Sequence, residues 1–176
     1  GTPIEQGNAS VRLEVFVTDT ADHREEKVAM KPVAAAPLVI HAVPESGALV
    51  PGLENRVYVL AAYPDGTPAK NAQVLVSGKG LQGRKALDTD ELGIAELSLT
   101  PKDASPVQLQ VRVRDKQGRN AEQALALSAK PEGEGLILRT DKALYQVGDT
   151  LRAEVFAAKP RGNVYFDLIR EGQTVM

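Results

Sequence analysis

Gly52-Leu53-Glu54-Asn55-Arg56-Val57-Tyr58-Val59-Leu60-Ala61-Ala62 returns 96 residues later as Gly148-Asp149-Thr150-Leu151-Arg152-Ala153-Glu154-Val155-Phe156-Ala157-Ala158. The Gly, the Arg, the second Val and both Ala residues are identical. The spacing is one small domain long. A repeat at that period marks a chain of similar β-modules, and these 176 residues are expected to hold one whole copy and parts of two others.

Working outward from the first copy, period-2 alternation dominates and no segment keeps a helical period. Seven strands are predicted between Leu38 and Ser128: Leu38–Val43, Asn55–Tyr63, Ala72–Ser77, Lys85–Thr89, Ile94–Leu99, Val107–Val113 and Glu122–Ser128. Turn chemistry separates them. Pro64-Asp65-Gly66 suits a tight turn, and Pro68 ends any ladder. Asp90-Glu91-Leu92-Gly93 and Asp115-Lys116-Gln117-Gly118 each end on a glycine free to take positive φ. Short strands at this spacing predict an antiparallel sandwich.

The flanks are less complete. Val11, Leu13, Val15 and Val17 alternate with polar residues, apart from Phe16. A polar turn, Asp19-Thr20-Ala21-Asp22-His23, follows, and Val28 and Met30 begin a second strand, so a β-hairpin is expected. Pro32-Val33-Ala34-Ala35-Ala36-Pro37 reads as a linker, because proline at both ends disfavours helix and central-strand pairing. Lys130-Pro131-Glu132-Gly133-Glu134-Gly135 reads as a second linker without an apolar anchor. Strands Leu136–Arg139, Leu151–Ala158 and Val164–Ile169 are expected after it. The predicted divisions are therefore 1–35, 36–130 and 131–176. The chain opens without Met and stops just past a strand, as a piece of a longer protein would. A partial sandwich leaves open edges and a bare apolar face. The terminal pieces are expected to pack on each other, on the central module or on a neighbouring molecule, which includes edge-strand self-association.

Composition narrows the function. A net charge of −2 supplies no basic footprint for nucleic acid and no polybasic face for a membrane. Cysteine is absent, which excludes disulfides, thiolate chemistry and sulfur-bound zinc. A β-protein without disulfides leans towards a bacterial source.

No chemical constellation emerges. His23 lies in a polar turn and His41 in a strand, neither with a second histidine or carboxylate at ligand spacing. Asp88, Asp90 and Glu91 flank a strand end and read as turn caps rather than calcium ligands. Asp19, Asp22, Glu25 and Glu26, interleaved with Arg24 and Lys27, read as a solvated hairpin tip. Ser77-Gly78-Lys79-Gly80 with Gly83 reads as a flexible loop, since a phosphate-binding loop leads into a helix and none follows. Tyr58, Tyr63, Tyr145 and Tyr165 are too scattered for a stacking platform. Tyr145 is expected to pack at a corner with its hydroxyl bonded to backbone. No serine stands in a nucleophile elbow. The expectation is therefore no enzyme, with no catalytic, cofactor-binding or metal-binding residues and no cofactor.

Several motifs converge on one family. Thr140-Asp141-Lys142-Ala143-Leu144-Tyr145-Gln146-Val147-Gly148-Asp149-Thr150-Leu151 resembles the opening of macroglobulin-like domains in the alpha-2-macroglobulin and complement thioester-protein family. Val50-Pro51-Gly52 resembles the equivalent turn of the module before it. Tyr63-Pro64-Asp65-Gly66-Thr67-Pro68-Ala69, followed by Thr89-Asp90-Glu91-Leu92-Gly93-Ile94-Ala95, resembles the family's middle domains. The resemblance implies an all-β chain built on an antiparallel seven-stranded immunoglobulin/fibronectin-like β-sandwich with partial flanking β-modules. Residues 1–35 would be the C-terminal hairpin of a preceding macroglobulin-like domain, 36–130 a complete one, and 131–176 the first strands of the next. These would be the end of the third domain, the fourth, and the start of the fifth. It further implies a structural scaffold fragment of a protease-trapping, endopeptidase-inhibiting protein, extracellular or periplasmic. Its partners would be neighbouring macroglobulin-like domains, and target proteases only through the whole parent. The family's thioester needs a cysteine that this sequence lacks, and no bait segment is evident, so no functional residue carries over. An immunoglobulin-like repeat of a bacterial adhesin or invasin is the alternative. Such repeats share the middle-domain pattern but lack the Asp-Lys…Tyr…Gly-Asp stretch. A carbohydrate-binding domain fits poorly with no tryptophan and 4% aromatic residues.

Overall fold

The computed structural model describes residues 8–79, 81, 83–133, 135–159, 163, 165–167 and 169–174. Every regular element among them is a strand. The centre consists of β3 (Val39–Pro44), β4 (Asn55–Ala62), β5 (Gln73–Gly78), β6 (Lys85–Asp88), β7 (Ile94–Leu99), β8 (Val107–Arg114) and β9 (Asn120–Leu127). They form two antiparallel sheets, ordered β3-β4-β7 and β6-β5-β8-β9. The fourth strand of this set, β6, therefore borders β5 rather than β7.

Alternation places one apolar side of each sheet inward. Ile40, Val57, Val59, Ala61, Ala95, Leu97 and Leu99 from one sheet meet Val74, Val76, Leu109, Val111, Val113 and Leu127 from the other in a single buried core. Burial along β8 alternates at every residue from Val107 to Arg114, the mark of a strand with one face in the core and one in water. Gly93 takes a φ of +74° and lies against the Ala61 carbonyl, so no side chain fits there. Gly78 ends β5 against the Gln108 carbonyl and leaves equally little room.

Two hairpins flank the sandwich. β1 (Asn8–Thr18) and β2 (Arg24–Ala34) form a ribbon paired along its whole length. The linker expected at residues 32–37 is shorter than read, because β2 runs through Pro32 to Ala34. A two-stranded ribbon has an open edge on each side, and proline costs no ladder bond where its nitrogen faces that edge. After the sandwich, β10 (Leu136–Thr140) pairs with β11 (Ala153–Ala157). The strand expected over 164–169 does not form at residues 165–167; only Ile169 joins one, in the two-residue β12 (Ile169–Arg170), which pairs with β13 (Gln173–Thr174). Val164 and Leu168 lie outside the described residues. A strand is held by a neighbour's backbone, and no third strand flanks β10–β11 among the described residues.

Candidate functional site

The chemistry of this chain is concentrated where its pieces join. At one end of the sandwich, Asp115 follows β8 and its side chain is 1% exposed. Its Oδ1 accepts the amides of Gln117 and Arg119, both at 2.9 Å, which closes the β8–β9 turn. Its Oδ2 accepts Arg119 Nε at 2.6 Å and the Tyr63 hydroxyl at 3.2 Å. Tyr63 follows β4 in the opposite sheet, so this carboxylate ties the two sheets together. Arg119 also lies 4.4 Å above the Tyr63 ring. Burial opposes the charge on Asp115, but the hydrogen bonds from Arg119 outweigh it and hold the carboxyl below its usual range. Beside this cluster runs a shallow groove lined by Ala34, Pro37, Asp65 and Thr67, where the chain passes from β2 to β3.

At the other end, Glu45 leaves β3 and meets Arg139 of β10. The two form a forked pair, Nε to Oε2 at 2.8 Å and NH2 to Oε1 at 2.7 Å. Both side chains are largely buried, 14% exposed for the arginine and 10% for the glutamate. Arg139 also donates to the Glu54 carbonyl at 2.8 Å and stacks 4.8 Å above Phe156, while Glu45 accepts the Arg56 amide at 2.7 Å. Burial opposes the Glu45 charge, yet the Arg139 and Arg56 hydrogen bonds prevail and lower its pKa. The hydrogen bond to Glu45 raises that of Arg139. Such a bidentate pair fixes direction as well as distance.

Apolar packing completes this junction. Ile137 and Val50 are fully buried but stand outside the central core. Gly135 sits so close to Val50 that an added Cβ would meet both of its methyls at 3.2 Å. Leu49 bridges Ala129 in parallel, with hydrogen bonds from Leu49 to the Ser128 carbonyl and from Lys130 to the Leu49 carbonyl. The 130–135 linker is thus anchored, contrary to the reading that it lacks an apolar hold. Asn55, fully buried, shapes the same turn by holding both the amide and the carbonyl of Val50.

The residues considered for chemistry remain dispersed. Asp90 caps its turn through the amides of Leu92 and Ile94, and Glu91 pairs with Lys70. Asp88 is exposed on β6. His23 Nδ1 lies 3.1 Å from Asp19 Oδ2 across the hairpin turn. His41 pairs with Leu60 in the sheet. Asp19 also accepts the amides of Ala21 and His23, so the acidic hairpin tip has an organised turn; Asp22, Glu25 and Glu26 are exposed. Of the expected flexible loop, Ser77 and Gly78 belong to β5, and Gly80 lies outside the described residues. Tyr145 is half-buried; its hydroxyl donates to Asp141 and accepts the Lys142 amide at 3.1 Å, a backbone bond of the kind expected for a corner tyrosine. Tyr58 lies within β4, and Tyr165 is exposed. Among the described residues, no three histidine or acidic side chains gather as a metal site would require.

Sequence reading missed Glu45 and Arg139, which lie 94 positions apart and carry no local signal. It also missed how far the repeat extends. Adding 96 to the pair Ile40↔Ala61 gives Leu136↔Ala157, and β10–β11 has that register. Subtracting 96 from Val107↔Leu127 gives Val11↔Lys31, and β1–β2 has that one. The turns agree as well, since Asp19 caps the first hairpin as Asp115 caps the second. Val11, Leu13, Val15 and Val17 against Val107, Leu109, Val111 and Val113 was the available signal.

Compared with known families, residues 46–130 match the model of the Macroglobulin domain MG4. The match begins just after β3, which the structure pairs with β4. A search of curated proteins found none that matches the chain. Domains of this kind are non-catalytic structural units that occur alongside other domains in a longer chain and are typically extracellular. With its two facing sheets and tied ends, the sandwich at the centre of this chain is a macroglobulin-like domain of the alpha-2-macroglobulin family.

Proposed function

We propose that the chain is a scaffold segment of a protease-trapping protein, located outside the cell or in the periplasm. One rigid domain occupies its centre, and 1–35 and 131–176 are the adjoining parts of the domains on either side. The observation that carries this reading is the Glu45–Arg139 junction within a macroglobulin setting. A forked ion pair plus a small apolar contact holds a neighbour in one orientation, yet it is small enough to be broken and re-formed. That is what a mechanical segment needs if a cut elsewhere is to become a rigid-body shift. The register-preserving repeat supports the three divisions, because each flanking hairpin reproduces two of the seven strands of the central module.

The test uses a longer protein that contains this segment. Added endopeptidase should make a limited cut, compact the molecule in solution scattering, and lose access to large protein substrates while still cleaving small peptides. The 176-residue chain alone should inhibit nothing. Cleavage without compaction or shielding would refute the trapping role and leave the domain assignment standing.

A further inference from the structure

The outer faces of the two central sheets differ in chemistry. On β8 and β9 the outward side chains include Gln108, Gln110, Arg112 and Glu122, all exposed, with Arg112 paired to Glu122. That is the solvated side expected of an antiparallel sheet. Across β3, β4 and β7 the outward row is His41, Leu60 and Ile94, and Val43 stands beside Tyr58 in the next row. Val43 is 48% exposed and Leu60 is half-buried. The two sheets already close over their shared core, so this apolar outer side is not an uncovered core.

The repeat points to what belongs there. Adding 96 to His41, Val43 and Leu60 gives Ile137, Arg139 and Phe156. These occupy the corresponding face of β10–β11 in the same register. Ile137 is 1% exposed, and Arg139 reaches back to Glu45 and to the Glu54 carbonyl, at the two ends of the turn between β3 and β4. In β10–β11 this face is therefore seated on the module before it. The hairpins on both sides of each connection keep the offset of 96 residues, so corresponding points across the two links are equally far apart along the chain. Packing at the links corresponds as well. Pro37 and Tyr63 line one groove, and their counterparts Gly133 and Lys159 lie against each other.

We infer that the His41–Leu60 face of the sandwich receives the turn of the preceding module that corresponds to Glu45–Asn55. Subtracting 96 places that turn upstream of Gly1. The inference rests on the reading of residues 1–35 as the end of that module. Successive modules then dock head-to-tail through one repeated pair of surfaces, the outer β3–β4 face of each on the β3–β4 turn of the one before. The chemistry differs at one point. Val43 stands where Arg139 does, so the forked ion pair is not repeated and the contact is apolar there. Such a contact belongs to the roughly 600–1,500 Å² class found between domains of one chain.

The test uses the full-length protein with a photo-reactive phenylalanine analogue at position 41. Mass spectrometry of the cross-linked peptides should place the partner in the upstream turn. Cross-links to a later domain, to a second molecule or to nothing overturn the inference. Thiol labelling of His41→Cys gives a second readout. It should be about tenfold slower in the full-length protein than in the 176-residue chain. Gln110→Cys, on the polar face, should label equally fast in both. Adding Leu60→Lys to His41→Cys should abolish the difference between the two proteins, because an ammonium group cannot stay in a closed apolar contact. The same change should leave the melting of the 176-residue chain nearly unaltered, since the lysine stem can lie along the outer face with its charge in water. Protection that survives Leu60→Lys, or that extends equally to Gln110→Cys, overturns the inference. Failure of the underlying domain division would look different, as an upstream sequence without strands at the 96-residue offset. Neither readout depends on protease trapping.

Discussion

β8–β9 and β1–β2 are the same hairpin twice, and only one of them is buried. They share strand register, the capping aspartate and a positive-φ residue at the turn, Gly118 at +82° in one and Asp22 at +66° in the other. Val11, Leu13, Val15 and Val17 match Val107, Leu109, Val111 and Val113 residue for residue. In the sandwich these side chains lie between two sheets, whereas in the ribbon they face solvent. Local sequence therefore suffices for the pairing, the turn and the alternation. Burial depends on a second sheet, and with it most of the stabilisation.

Identical substitutions in the two hairpins should separate these contributions. Leu109→Ala removes a leucine from a closed core and should cost about 2–5 kcal/mol in denaturant unfolding. Leu13→Ala, at the same register, should change the folding free energy by less than about 1 kcal/mol. Comparable losses at both sites would mean that the ribbon is covered in solution.

Next in size is the link to β10–β11. Arg139→Ala leaves the Glu45 carboxylate largely buried with one strong partner gone, and should loosen the hairpin by about 2 kcal/mol in the hydrogen-exchange protection of β10 and β11. Glu45 has its pKa lowered in the folded state, so it contributes stability above the unfolded carboxylate range, and that contribution is lost as pH falls through its folded value. Protection of β10–β11 should therefore fall on acidification below about pH 4.5. Glu45→Gln should show the weakened hold already at pH 7 and flatten this response; an unchanged acid response would assign it to other groups.

The caps should differ in the same direction. Asp115→Ala removes four hydrogen bonds at a side chain 1% exposed, and should cost about 2 kcal/mol by thermal unfolding. Asp19→Ala breaks an equivalent turn in water and should cost clearly less. Smallest is Asp22→Gly, which relieves a non-glycine residue at positive φ and should steady the β1–β2 turn by a few tenths of a kcal/mol, read as slower amide exchange there.

Much of the fold was legible in the chain. Ile94–Leu99 was located at both ends, and the other central strands to within about two residues, because alternation and Asp-x-x-Gly turns are local signals. Proline misled at Pro32, where the cost depends on which way the nitrogen faces. The strand expected over 164–169 failed at 165–167 because pairing needs a neighbour. The junction was illegible: nothing around Glu45 announces a partner at Arg139, and nothing near Asp115 announces Tyr63.

By itself, the sequence determined that this is a modular all-β chain with a repeat of 96 residues, since apolar period and turn chemistry act over a few residues at a time. Tertiary structure alone decided which of the repeated apolar faces became a core and which charged side chains became the ties between pieces. Burial and forked ion pairs depend on what lies opposite in space, and residues far apart along the chain supply it.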